Sequence, residues 1–475
     1  MLRNASPGVI RVSEKNPHYY EYRGKEILLI TSAEHYGAVI SKHFDYVKYF
    51  DMLAEYGLNY TRMYPGALVE PEGHWMQEDT LTPGLDVIVP WARSDEPGYR
   101  CGGNKFDLSK WDPEFFERLH DFLQEADKRD IIVEICFFNC LHEGYWVCCP
   151  LHKDANIQGV GDCADVDFQT LDNELLVREQ LRYLEKIMVE TNKYDNILYE
   201  FCDEPTTILT PSRKAYMWID KLIDTAVAVE EKLPKKHMLA QQLEIGIDFA
   251  DDDRVAVIVT QYIGMSWRQV GGVPALDNCY CYNKPIELNE TAYVGSWLKE
   301  STHDLVAVSR IEAWEFMVGG GAGFNQLNGY FVPSNPSGES EMNRKLLAGL
   351  CYLRTFLEGF DFVKMTRDKE TVKAISGGGV VNLISEKGEQ YAIYIHHSFP
   401  VLDCGAYYVP NYGEYRPILS AFLPVGTYEV TFIEPGTLNK ISKMKITSKG
   451  ENEETQIVCP LYTLDMAIKI IRSNN

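Results

Sequence analysis

Two short segments place carboxylates where they could act together. The first, Asn196-Ile197-Leu198-Tyr199-Glu200-Phe201-Cys202-Asp203-Glu204-Pro205, is a strand-like run that ends in two acids and a proline. In a parallel barrel the C-terminal end of a strand faces the active site. Proline at 205 cannot donate to a strand ladder, so the chain turns there and Glu204 is left on the rim. Local chemistry alone equally allows a solvated turn. The second segment, Lys284-Pro285-Ile286-Glu287-Leu288-Asn289-Glu290-Thr291-Ala292-Tyr293, is again a short strand with acid at its end. Alternation puts Ile286, Leu288 and Glu290 on one face and Glu287 on the other. Glu290 is then the rim candidate and Glu287 could be a surface acid, although alternation can fail at a strand end. Paired carboxylates of this kind can divide proton transfer and nucleophilic attack between them.

The elements that must carry these acids follow from hydrophobic periodicity. From about residue 24 to 360, short β-branched runs alternate with helical patterns, the signature of repeated βα units and a parallel sheet, closed or open. Glu26 to Ile30 leads into a helix around Phe44 to Leu53 that stops at Gly57, and Asn59 to Met63 is the next strand. Asp112 followed by Pro113 predicts a helix N-terminus. Phe115, Leu119, Phe122 and Ala126 then repeat at helical spacing, and the buried strand Ile131 to Phe138 follows. Val177, Leu181, Leu184 and Met188 mark the helix before the strand Asn196 to Phe201. Met238 to Gln241, Val255 to Gln261, Pro285 to Asn289 and Ala322 to Asn325 complete a set of eight strands, and a last helix carries Leu346, Leu350, Leu353 and Leu357.

Beyond residue 367 the period changes from about 3.6 to 2. Strands such as Tyr391 to His396 and Thr427 to Ile433 are separated by turn signals, as an antiparallel sandwich requires. The expected organisation is therefore an N-terminal strand segment (1–23), an α/β unit (24–366) and a small all-β sandwich (367–475). The segment from Gly8 to Tyr22 could close the floor of a barrel or join the sandwich.

The chain has 475 residues, 45% of them apolar, which suffices for a large buried core. Its 69 acidic against 46 basic side chains give a formal charge of −23, which repels nucleic acid and anionic membranes. No apolar run reaches signal-peptide or membrane-span character, which suggests a cytoplasmic location. Twelve cysteines, several in apolar runs, are expected to be reduced thiols.

Together these segments resemble the clan A glycoside hydrolases, in a cellulase-like branch with a C-terminal β-sandwich. The likeness extends over residues 24 to 360, through Ala33-Glu34-His35-Tyr36-Gly37, Asn59-Tyr60-Thr61-Arg62, Gly102-Gly103-Asn104-Lys105-Phe106-Asp107 and Gly319-Gly320-Gly321-Ala322-Gly323-Phe324. It implies a (β/α)₈ TIM barrel and cleavage of an O-glycosidic bond with retention. Glu204, ending the fourth strand, matches the acid/base, and Glu290, ending the seventh, matches the nucleophile. One carboxyl protonates the departing oxygen while the other attacks the anomeric carbon, so the two are expected about 5–5.5 Å apart. Arg62 matches the arginine that holds the nucleophile ionised, with a structural ion pair as the plainer reading. Tyr262 matches an aromatic position near the nucleophile or is simply core. Glu34, His35, Tyr36 and Asn139 are candidate ligands of sugar hydroxyls, and Asn325, with Gln326 and Asn328, could line the same cleft. The clan's usual Asn before the acid/base is Asp203 here; a carboxylate accepts a hydrogen bond from a sugar hydroxyl but cannot donate one unless protonated.

Of the tryptophans, Trp297 is the candidate stacking platform, while Trp314 lies in a helical stretch and reads as core. Cys136, Cys140, His142, Cys148, Cys149 and Cys163 lack the paired C-x₂-C knuckles of structural zinc, and the carboxylate mechanism requires neither metal nor cofactor. The Gly319 to Gly323 run has no following Lys-Ser/Thr and reads as close helix-to-strand packing rather than a phosphate loop. The expected partner is a carbohydrate substrate. A rival reading is a catalytically silent carbohydrate-binding barrel. Neither the sugar nor the oligomeric state is legible.

Overall fold

Eight parallel strands form a barrel: β1 (Leu29–Ala33), β2 (Tyr60–Met63), β3 (Ile132–Asn139), β4 (Ile197–Asp203), β5 (Leu239–Gln242), β6 (Val257–Gln261), β7 (Ile286–Glu290) and β8 (Gly323–Leu327). This computed structural model describes residues 2–73, 78–142, 144–205, 210–261, 272–291, 304–403 and 406–473. From β2 to β8 each strand is hydrogen-bonded to the next, and β8 returns to β1 with five residues in register. The seam between β1 and β2 is closed through Asn59. Its backbone N–H reaches Ile30 O at 3.3 Å, its Oδ1 accepts from Ile30 N at 3.1 Å and its Nδ2 donates to Leu28 O at 2.9 Å.

The helices α1 (Tyr46–Glu55), α2 (Pro113–Asp127), α3 (Glu174–Thr191), α4 (Ser212–Glu230), α5 (Val273–Cys279), α6 (Leu305–Val318) and α7 (Glu341–Glu358) pack around the strands. Their starts follow local chemistry. Asp45, Asp112, Asn173, Asp304 and Ser340 each cap a helix by accepting a hydrogen bond from a backbone N–H of the first turn. The connection from β5 to β6, residues 243–256, contains no helix. The glycine run before β8 is a packing feature as expected: a Cβ on Gly321 would lie 2.2 Å from the Phe316 ring, and one on Gly323 would lie 2.6 Å from the Glu287 side chain.

The N-terminal segment closes the barrel floor. Strands Arg11–Val12, Tyr20–Tyr22 and Lys25–Ile27 form an antiparallel sheet. Val9, Ile10, Val12 and Tyr20 pack against Leu29, Tyr60, Ile132 and Leu198 at the lower ends of the barrel strands. Above this apolar floor the barrel interior is polar. Glu134, Glu200 and Glu287 are fully buried there. Tyr20 donates to Glu287, Tyr60 donates to Glu134, and Asn289 Nδ2 lies 3.2 Å from both Glu134 and Glu200.

After α7, a six-stranded antiparallel sheet runs in the order Thr366–Arg367, Val380–Glu386, Gln390–His396, Asp465–Arg472, Gly426–Ile433, Lys440–Ser448. A three-stranded sheet (Val372–Ile375, Ile418–Ala421, Thr455–Val458) covers one face. The strand Gln390–His396 shows the two-residue period directly: Tyr391, Ile393 and Ile395 enter the core between these sheets, while Ala392 and Tyr394 pack with the barrel's core. The barrel side of that contact is α6, where Arg310 Nε lies 2.7 Å from Asp465 and the Trp314 ring 5.5 Å from Tyr394. Trp314 is thus core, as its helical setting predicted. All cysteines among the described residues are free thiols.

Candidate active site

The site forms at the C-terminal ends of the strands, around a guanidinium. Arg62 on β2 is fully buried between the rings of Tyr36 and Tyr64, at 5.0 and 5.5 Å from their centroids. A cation taken out of water needs compensating charge, and three carboxylates supply it. Nε and Nη2 donate to Glu200 at 2.9 and 2.5 Å, Nη2 to Asp203 at 2.7 Å, and Nη1 lies 3.4 Å from Glu290. Arg62 therefore ties the ends of β4 and β7 together.

Asp203, the last residue of β4, is saturated with donors. Besides Arg62, Tyr64 Oη and Asn139 Nδ2 reach its Oδ2 at 2.5 Å each, and Gln261 on β6 donates to its Oδ1. The predicted residues Arg62, Asp203 and Asn139 thus form one network, with Tyr64 as a member the sequence did not indicate.

Glu204 follows immediately in a left-handed backbone conformation, φ 46°. That conformation is unfavourable for a residue with a side chain, and such strain clusters at functional sites. Gln242 on β5 secures the turn by accepting the Glu204 N–H at 2.8 Å. The residue is buried, and its carboxylate lies 3.3 Å from His142 Nε2 and 3.6 Å from Cys140 Sγ in the loop after β3.

Glu290 reaches the site by a break in strand geometry. The pairing of β6 with β7 runs Thr260 to Leu288 and then Gln261 to Glu290, so Asn289 is an extra residue on β7. Glu287 and Asn289 point into the barrel interior, and the bulge turns Glu290 to the same side, against Arg62. Strict alternation, expected from the sequence, fails at Asn289. Glu287 is no surface acid but a fully buried one, bonded to Tyr20 of the floor sheet. Burial and the carboxylates of Asp203 and Glu204 push the Glu290 pKa upward, while Arg62 and His35 pull against them.

The residues after β1 surround Glu290. Tyr36, also left-handed at φ 60°, lies close enough to Glu290 to feel its charge and receives Asn325 Nδ2 at 3.3 Å. Asn325 further donates to Asn289 O at 2.9 Å and accepts from Ala33 N at 3.0 Å. Glu34 directs its carboxylate into its own loop, accepting from Gly37 N at 3.1 Å, from Ala38 N at 3.4 Å and from Thr80. Burial raises its pKa to about 7. His35 lies between two acids that no sequence pattern singled out, with Nε2 3.8 Å from Glu70 and Nδ1 3.6 Å from Asp79. Burial opposes its charge, but those carboxylates outweigh burial and hold its pKa up to about 9. Gln326 and Asn328 bond to Ser309, Ser32 and Asn343, within the scaffold. Tyr262 and Trp297 lie outside the described residues.

Among the described residues, two groups of three could hold a cation: Cys140, His142 and Glu204, and His35, Glu70 and Asp79. Of the six-member thiol and histidine set noted in the sequence, only Cys140 and His142 enter either group.

No protein-family model matches the chain, and no curated protein is similar to it. Its fold is shared with solved structures. A provisionally assigned glycoside hydrolase from Bacteroides vulgatus ATCC 8482 superposes with a TM-score of 0.64 at 13% identity, over 98% of this chain and 82% of that one. A glycoside hydrolase family 5 protein from the same organism gives 0.63 at 10% identity, over 98% and 94% of the two chains. A third protein, described as a glycoside hydrolase, gives 0.61 at 9% identity over 98% of each. The match spans the C-terminal strands as well as the barrel. No helix among the described residues is long and apolar enough to cross a membrane.

Proposed function

We propose that the chain is a retaining glycoside hydrolase acting on a β-linked oligosaccharide or small glycoside, with Glu204 as acid/base and Glu290 as nucleophile. The observation that carries this reading is the buried Arg62, bonded at once to Asp203 and Glu290, which gathers two rim glutamates from β4 and β7 into one charged cluster. The shared fold with glycoside hydrolases supports it.

In the first step the Glu204 carboxyl gives its proton to the glycosidic oxygen while a Glu290 oxygen attacks the anomeric carbon. The aglycone leaves as an alcohol and a glycosyl ester remains. In the second step the Glu204 carboxylate takes a proton from water, which attacks the same carbon and releases Glu290. Arg62 and the Tyr36 hydroxyl orient the nucleophile and stabilise its charge. Asp203 holds Arg62, Tyr64 and Asn139 in place.

The test is incubation with a panel of aryl β-glycosides and natural oligosaccharides, with the anomer of the first product followed by NMR. Hydrolysis with retention, reduced roughly a thousandfold or more in Glu290→Gln, is expected. Inversion would overturn the double-displacement mechanism. Sugar binding without turnover across the panel would identify a silent binding barrel.

A further inference from the structure

We propose that Cys140, His142 and Glu204 form a binding site for a thiophilic divalent cation of the zinc or cadmium type, and that occupancy withdraws Glu204 from catalysis. The inhibitory half rests on the acid/base role given to Glu204 above. The binding half does not.

The three ligand atoms form a closed triangle. Cys140 Sγ lies 3.5 Å from His142 Nε2 and 3.6 Å from Glu204 Oε2, and those same nitrogen and oxygen atoms are 3.3 Å apart. Tetrahedral zinc with bonds of about 2.3 Å to sulfur and about 2.0–2.2 Å to nitrogen and oxygen separates its ligands by about 3.6 Å (S to N), about 3.4 Å (N to O) and about 3.6 Å (S to O). The triangle therefore matches one face of that tetrahedron with little movement. Three protein ligands plus a water molecule at the fourth corner is the pattern of open zinc sites.

The surroundings suit a dication. Asp203 and Glu244 add negative charge around Cys140 beyond that of Glu204. The His142 side chain, 39% exposed, borders the pair from the solvent side and offers a path of entry. Its ring packs edge-on against Tyr145 at 5.2 Å, which restrains its orientation. The His35, Glu70 and Asp79 group is a poorer ligand set, because its two carboxylates face opposite ring nitrogens. On binding, the Cys140 thiol loses its proton to solvent and a metal–sulfur bond forms, while His142 binds through its neutral nitrogen.

Cadmium titrated into the intact chain should develop the ultraviolet thiolate-to-metal charge-transfer band. Zinc affinity is measured by competition with a chromophoric chelator. Cys140→Ser should remove one bound equivalent and its share of the band. His142→Ala, at a half-exposed side chain that the fold tolerates losing, should weaken that equivalent about tenfold or more. Titrations of the two variants that superimpose on the wild type would overturn the site. In the active enzyme, zinc should inhibit with the midpoint of this binding and a chelator should restore turnover; binding at full occupancy without inhibition would overturn the inhibitory half. If the metal-free chain hydrolyses nothing while Cys140→Ser still loses the equivalent and His142→Ala still weakens it, the cation site stands and the hydrolase reading falls.

Discussion

Arg62 Nη2 lies 2.7 Å from Asp203, whereas its Nη1 lies 3.4 Å from Glu290. The arginine expected to serve Glu290 is thus bound more closely to Asp203, the residue before Glu204. A fully buried guanidinium with Glu200 as its only close partner would face Glu290 as its remaining counter-charge. Asp203 supplies that charge instead, and places a second carboxylate near Glu290. Asp203 therefore bears on Glu290 twice, through Arg62 and through its own charge.

Asp203→Asn should expose this role. The amide keeps one acceptor but turns an NH₂ group toward donors on the other side, either Arg62 and Gln261 or Tyr64 and Asn139. Activity should fall about tenfold or more. Removing the Asp203 charge also lowers the Glu290 pKa, so the acid limb of the kcat/KM profile should move to lower pH. A variant with wild-type activity and an unmoved acid limb would confine Asp203 to a passive place in the fold.

His35 predicts the opposite shift. With its pKa held up to about 9, it is an imidazolium across the neutral range, and its charge lowers the Glu290 pKa. The nucleophile must be ionised, so activity is lost as pH falls through the Glu290 pKa. His35→Gln removes the opposing cation, and the acid limb should rise to higher pH. Superimposable profiles for the variant and the wild type would show that the His35 charge does not reach Glu290.

The interior acids make stability depend on pH. Burial raises the pKa of Glu134 to about 8 and that of Glu287 to about 7. Unfolding returns them to about 4.3, so between that value and 8 the folded state holds more protons than the unfolded chain. Stability from these groups is complete below the unfolded value and declines as pH rises through the folded ones. The thermal midpoint should fall between pH 5 and pH 9 on this account, and Glu134→Gln, which keeps the shape without the charge, should reduce the fall by a few degrees. An equal decline in the variant would show that Glu134 does not contribute to it.

The same acids mark where sequence reading stops. The barrel strands were legible because strands buried on both faces are continuous apolar runs, as in Ile132 to Phe138. The α2 start was legible because Asp112-Pro113 is a local signal, and Glu204 because Pro205 forces a turn. Glu287 was not, since its burial depends on Tyr20, 267 residues away, and the face of Glu290 depends on a bulge at Asn289 that alternation cannot anticipate. Glu70 and Asp79 reach His35 from loops whose path no period encodes. The proximity of Cys140 and His142 to Glu204 requires β3 and β4 to be neighbours, which is topology rather than local pattern.

The roles of the two rim glutamates separate by leaving-group dependence, because an acid catalyst matters in proportion to how poor the leaving group is. Glu204→Ala should spare activated aryl glycosides more than natural ones. With a good leaving group the glycosyl ester on Glu290 still forms, but water attacks it slowly without a base, so the ester accumulates and should be visible by intact mass. Azide needs no deprotonation and fits the space left by the side chain. It should restore turnover and give the glycosyl azide with retained configuration. Glu290→Ala cannot form the ester and should show no rescue with retention. Azide rescue with retained configuration at position 290, and never at 204, would exchange the two assignments.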